Sequence, residues 1–368
     1  MTLACGVWSI IVFLALNSTK DMSWLAAHRW GYYSTNDIFD GAWWSLITSA
    51  FVHLQLAHIF FNMYWLFILG PVLEREFGTL RFLGLVLGSA IASSGWQLAT
   101  GDMGIGFSGV GYALAGFGWI AREHRPYLKG IFTDRTLQLF AFWGVLCIFL
   151  DIFKIMPIGN VAHIVGFGFG ALAALVMFKK SALATFGAIV LFAAAFVPVY
   201  WCPKSEAWVY VQGTRAMENR DYNRAIPPLK RSLEMGYNSS EVWFSLAGIY
   251  GYQRKSDEYR DALKQLGRVG PSYVKEVTDQ YGDPDSATWL TKDANDAAVR
   301  GDYEKAITFY KLSLAKGEDP ILVWRALTEI YRIQEKHKEF LDAVKRLRAI
   351  DPMAAEESLK DFGKPRGK

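Results

Sequence analysis

The sequence predicts an all-α protein: a polytopic membrane helix bundle followed by a soluble α-solenoid. A division of charge, a series of apolar runs and an internal duplication carry that prediction. Of the 39 Lys and Arg and 35 Asp and Glu in 368 residues, only 11 bases and 9 acids lie at or before Trp201. The first part is as poor in charge as a membrane domain, and the remainder is as rich as a soluble one. A single soluble globule is thereby excluded. The net charge of +4 divides into +2 and +2 with no basic run, so nucleic acid is not an expected partner.

Seven apolar runs are candidate spans: Met1 to Asn17, Leu56 to Phe77, Leu80 to Leu98, Ser108 to Ala121, Leu137 to Met156, Val161 to Phe178, and Leu183 to Trp201. The first has no basic residue before it and no small-residue cleavage site after it, so it reads as a retained helix rather than a signal peptide. The fourth, about 21 Å long at 1.5 Å per residue, is too short to cross unaided. It must begin inside the bilayer, below a loop that protein or water can satisfy.

With a cytoplasmic N-terminus, the cytoplasmic connections carry Arg75, Arg81, Arg122, Arg125, Lys129, Arg135, Lys179 and Lys180, against Lys20, Arg29 and Lys154 outside. The positive-inside rule favours that orientation, and seven crossings then place everything after Trp201 on the outer face. The long connection from Ser18 to Gln55 carries Trp24, Trp30, Tyr32, Tyr33, Trp43 and Trp44, which suit the headgroup level.

The charged region repeats itself. Asp221-Tyr222, Ala225-Ile226, Ser232-Leu233, Gly236, Val242-Trp243, Ile249-Tyr250, Ala262 and Leu266 recur 81 positions later, from Asp302-Tyr303 to Leu347. Within each unit an aromatic-x-x-Ala step occurs twice, 37 residues apart, at Tyr222 and Tyr259, then at Tyr303 and Phe340. Such a period resembles tetratricopeptide repeats, although Pro227-Pro228 and Gly270-Pro271 interrupt it. The resemblance implies a solenoid whose concave face holds a peptide or protein partner. The domains expected are therefore 1–178, a six-helix core; 179–202, a seventh helix; and 203–368, the repeats.

Polar groups in apolar spans are costly, so each calls for an explanation. His58 and Asn62, spaced i and i+4, share one helix face. Ser108 heads the short fourth run in Gly106-Phe107-Ser108-Gly109, and His163 opens the sixth run ahead of Gly166 and Gly170. A single such residue reads as a helix-packing hydrogen bonder; four near the outer ends of their helices read as a site. Serine beside histidine suggests nucleophilic catalysis, with His163 as base and with His58, Asn62 and the Ser108 N–H as oxyanion donors. No span supplies a carboxylate suited to orient His163, Asp151 lying at a helix end, so a dyad is expected. Tyr112, one turn after Ser108, is placed to stack on the imidazole.

His53-x4-His58-x3-Asn62, Gly106-x-Ser108-Gly109 with Tyr112, and Ala162-His163-x2-Gly166-x3-Gly170 resemble, in order, the signature segments of the rhomboid intramembrane serine proteases. The resemblance covers about residues 1–178. It implies a helical membrane protease of transmembrane proteins, seated in a lipid bilayer such as the bacterial inner membrane and needing no cofactor or metal. Ser108 would be nucleophile and His163 general base, while His58 and Asn62 would line the oxyanion hole. Gly106, Tyr112, Phe142 and Trp143 are expected to meet the substrate, with Phe142, Trp143 and the loop from Met156 to Asn160 as its lateral gate. The Trp-Arg pair usual in the first outer loop reads Trp44-Ser45 here, which leaves that loop's anchoring open. The rival readings are a silent rhomboid-like pseudoprotease that binds transmembrane segments, and a transporter or membrane anchor for the repeats.

Overall fold

The computed structural model describes residues 1–18, 28–237 and 240–360. Every element among them is helical. Lys20 and Trp24 of the first long connection lie outside the described residues. The chain divides into two compact units, Met1–Tyr237 and Asn238–Lys368.

In the first unit, α1 (Thr2–Ser18) is followed by two short helices, α2 (Thr35–Phe39) and α3 (Ser45–Thr48), and a 3₁₀ turn at Ser49–Phe51. The long helices are α4 (Leu56–Phe77), α5 (Thr79–Leu98), α6 (Ser108–Ala121), α7 (Asp134–Ile152), α8 (Asn160–Lys179) and α9 (Ala182–Ala194), with a further turn, α10, at Val197–Tyr200. Six of the seven apolar runs each form one helix, and the seventh is interrupted at Ala195 and Phe196 between α9 and α10. Among the described residues, four stretches are long and apolar enough to cross a membrane: α4, α7, α8 and Ala182–Tyr200. The others fall short for physical reasons. The first helix has 17 residues and α6 has 14, while α5 carries Ser89, Ser93 and Gln97 on its buried side.

Helix α6 is the axis of the unit. Nine of its 14 residues are buried, which a short apolar helix achieves only when neighbours enclose it. Its approach to α8 is a backbone contact: a Cβ on Gly166 would collide with the Gly109 carbonyl. Around it, Leu66, Leu69 and Leu73 of α4, Phe82 and Val86 of α5, and Phe140 of α7 complete one apolar core. At the periphery, α7 buries Phe140 alone and exposes Phe142, Val145, Phe149 and Ile152. An apolar surface of that kind suits lipid.

The first unit continues past the last apolar helix. A helical hairpin, α11 (Glu206–Glu218) and α12 (Tyr222–Glu234), belongs to it. Ala207 and Val211 of α11 share an apolar cluster with Ile38, Phe39 and Leu46 of the long connection, Leu98 of α5, and Val199. The compact unit ends at Tyr237, beyond the 202/203 division expected from the charge break, the last apolar run and the duplication. The same hairpin ties down the connection that holds Trp44-Ser45. Arg215 donates to the Phe39 carbonyl and, through Nε, to Asp40 at 3.3 Å. Ser45 itself is fully buried at the start of α3.

The second unit consists of α13 (Ser240–Tyr252), α14 (Ser256–Val269), α15 (Pro271–Tyr281), α16 (Ala287–Val299), α17 (Tyr303–Ala315), α18 (Pro320–Ile333), α19 (His337–Arg348) and α20 (Pro352–Lys360). The 81-residue offset reaches the helix starts: Glu206, Tyr222, Ser256 and Pro271 are matched by Ala287, Tyr303, His337 and Pro352. Within these helices Phe340, Ala343 and Leu347 pack with Ala306 and Tyr310 into one core. Arg260 links α14 to α16 through Asp293 at 2.8 Å and reaches Asp285 at 3.0 Å.

Candidate active site

Ser108 is the first residue of α6, and the turn before it decides where its hydroxyl points. Gly106 has φ +99°, a left-handed conformation that side chains other than glycine's resist. A Cβ there would also strike the His58 ring and come within 3.2 Å of Asn62 Nδ2. That turn therefore lies directly against the His58 and Asn62 side chains of α4. As the first helical residue, Ser108 has no intrahelical acceptor for its backbone N–H, which sits at the positive end of the helix dipole.

Helix α8 brings His163 to the same point. Its Nε2 lies 2.8 Å from Ser108 Oγ, a distance permitted by the glycine contact between α6 and α8. His163 is buried, and its Nδ1 has no hydrogen-bond partner among the described residues. The ring is held by stacking instead: the Tyr112 ring lies 4.6 Å away at 16°, and Tyr112 Oη donates to the Phe140 carbonyl at 3.1 Å. Asp151 is engaged elsewhere, accepting from Asn160 Nδ2 at 3.1 Å.

His53 and Gln97 had no role assigned from sequence, yet each holds part of this arrangement. The fully buried His53 uses Nδ1–H on the Phe51 carbonyl at 3.2 Å. Its Nε2 then accepts both from Asn62 Nδ2 at 2.9 Å and from the Phe107 N–H at 3.2 Å. One imidazole thus sets the Asn62 amide and the turn before Ser108 together. In the sequence, His53 stood out as the first residue of the His53-x4-His58-x3-Asn62 motif, and Gln97 only as a polar residue within an apolar run. Gln97 Oε1 accepts the Ala162 N–H at 3.2 Å, which fixes the first turn of α8 beside His163.

Ser108, His163, His58, Asn62, Tyr112, Gly106 and Trp143 line one cavity of about 1250 Å³. Phe142 does not line it. Consecutive helical residues point about 100° apart, so Trp143 turns inward against Phe61, with ring centroids 4.8 Å apart, while Phe142 faces out and is 60% exposed. Chemically, the arrangement couples a hydroxyl to an imidazole and surrounds it with N–H donors. A cavity of this make-up can form and stabilise a negatively charged oxygen.

Residues 40–180 match the Rhomboid domain family. Among curated proteins, the rhomboid protease GlpG of Yersinia pestis (strain Pestoides F) is 36% identical over 179 residues, covering 47% of this chain and 61% of the relative. GlpG of Photorhabdus laumondii subsp. laumondii is 34% identical over 180 residues, covering 48% of this chain and 60% of the relative. The chain therefore spans about three-fifths of the length of the curated relatives it matches. These similarities, together with the apolar helices, support the rhomboid family and a multi-pass integral membrane protein.

Proposed function

We propose that this protein is an intramembrane serine endopeptidase of the rhomboid type, cutting peptide bonds in or beside transmembrane segments of other membrane proteins. The observation that carries the reading is the 2.8 Å hydrogen bond from Ser108 to His163, inside a cavity shared with Asn62 and His58. His163 Nε2 removes the hydroxyl proton as Ser108 Oγ attacks the scissile carbonyl carbon. The resulting oxyanion meets the Ser108 N–H, the His58 ring and the Asn62 amide. An amide nitrogen has two donors; His53 engages one of Asn62's, which leaves the other for the oxyanion. The imidazolium then protonates the leaving amine, and water, activated by the same base, hydrolyses the acyl ester. Tyr112 replaces an orienting carboxylate, so the pair acts as a dyad.

The charge distribution supports a cytoplasmic N-terminus, with the residues after Trp201 outside, and the reading seats the protein in a bacterial inner membrane. A substrate helix then unwinds near its outer end to present an extended bond, and Trp143 on the loosely packed α7 stands where it enters. The repeated hairpins of the second unit support a tetratricopeptide-like scaffold for a substrate or adaptor segment.

The test uses the whole protein in liposomes with a transmembrane reporter and a fluorophosphonate probe. Labelling should map to Ser108 and vanish in Ser108→Ala, together with reporter cleavage. Asn62→Ala should lower turnover by on the order of 10² to 10³, with probe labelling retained. Cleavage surviving in Ser108→Ala defeats the reading.

A further inference from the structure

The residues after the last apolar helix do not leave the site. Lys204, Ser205, Glu206 and Ala207 at the start of α11, and Tyr237 at the end of the hairpin, line the same cavity as Ser108 and His163. They are held there on several sides. Asn36 Nδ2 donates to Tyr237 Oη at 2.7 Å, Arg215 holds the turn at Phe39 and Asp40, and the apolar side of α11 closes the cluster with Ile38, Leu98 and Val199. Gly101, in the loop between α5 and α6, is so near that a Cβ on it would lie 3.6 Å from Ser205 Cα.

The size of the cavity says what it admits. At about 1250 Å³ it exceeds the roughly 300–1,000 Å³ typical of a small-molecule pocket, so it takes several residues of polypeptide. The residues next to the scissile bond must continue out of the helical core, and Asp102 and the start of α11 are part of the wall they can meet. Asp102 is exposed and Glu206 half-buried; both line the cavity, and neither carboxylate is in an ion pair among the described residues.

Resting on the protease reading, we infer that the α11–α12 hairpin is a wall of the substrate cleft, with Glu206 selecting substrates that carry a Lys or Arg in the segment flanking the scissile bond outside the membrane. The hairpin is a specificity element of the catalytic unit, built from the first half of the duplicated sequence. Because it is hydrogen-bonded to α2 and packed on α5, its charge is presented at a fixed place rather than on a tether.

Two transmembrane reporters, identical but for Lys or Glu at the flanking positions, test this with the full chain in liposomes. The wild type should cleave the Lys reporter faster. In Glu206→Lys, kcat/KM should fall about three- to fivefold on the Lys reporter and rise on the Glu reporter, the size of a partly exposed ion pair. Opposite movement in one variant cannot come from unfolding. Glu206→Gln, which keeps the shape, should bring the two rates toward equality. A Lys-to-Glu rate ratio that Glu206→Gln leaves unchanged overturns the inference while leaving the protease reading intact. A wild type that cuts neither reporter and takes no probe at Ser108 defeats both.

Discussion

Helices α6 and α7 lie in the same unit and touch the same cavity, but they are built on opposite terms. Helix α6 is enclosed by neighbours, and glycine lets its backbone meet that of α8. Helix α7 is attached through Phe140 and leaves an apolar surface outside. Positioning a hydroxyl against an imidazole to within a hydrogen bond needs the first kind of packing, because small misplacements of reacting groups are costly in rate. On the protease reading, admitting a polypeptide from the lipid would need the second, since a helix with few buried apolar contacts opens at low free-energy cost.

The largest expected effect lies on the rigid side. Ser108→Ala and His163→Ala should each remove cleavage to background, with the double variant no worse than either, as for residues acting as a unit. An additive loss in the double variant, read from initial rates, contradicts the dyad.

Next come two ends of the chain that separate the wall from the rest. A chain stopped at Tyr237 should retain a folded core and cleave a transmembrane reporter. One stopped at Cys202 bares Ile38, Phe39 and Val199 and should lose several kcal/mol of stability by lost burial, at roughly 25 cal/mol per Å². Thermal aggregation midpoints in detergent compare them; equal midpoints contradict the place given to α11.

Gly166→Ala and Gly168→Ala make a sharper pair on one helix. A Cβ at Gly166 meets the Gly109 carbonyl, whereas one at Gly168 has nothing within 4 Å. The first should cost at least about 2 kcal/mol and much of the activity, since backbone must move. The second should be neutral or should stabilise by roughly 0.5–1 kcal/mol through helix propensity. Similar melting shifts for both would mean that the α6–α8 contact does not limit stability.

The smallest effects belong to α7. Trp143→Ala should raise reporter cleavage a few-fold by loosening the contact with Phe61. Phe142→Ala should change stability by about 0.5 kcal/mol or less, as for an exposed residue. A rate that falls in a folded Trp143→Ala variant argues that α7 is a wall and not the entrance.

The sequence alone determined the elements. Hydropathy and helical periodicity are local, so the apolar runs appeared as helices within a few residues of their ends, and the duplication could be read from residue identities without any structure. The types of the candidate site residues were legible for the same reason: a serine, two histidines and an asparagine are conspicuous where polar groups are expensive. Tertiary structure decided what those helices do to one another. That His53 holds both Asn62 and the turn before Ser108, that Gln97 fixes the start of α8, and that Phe142 turns away while Trp143 turns in all depend on how helices distant in sequence are rotated and seated. The extent of the first compact unit was decided at that level too. Charge content places α11 and α12 with the soluble repeats, whereas the apolar side of α11, closing on Ile38, Leu98 and Val199, makes the hairpin part of the core. A local average of charge cannot report which face of a helix is buried, or against what.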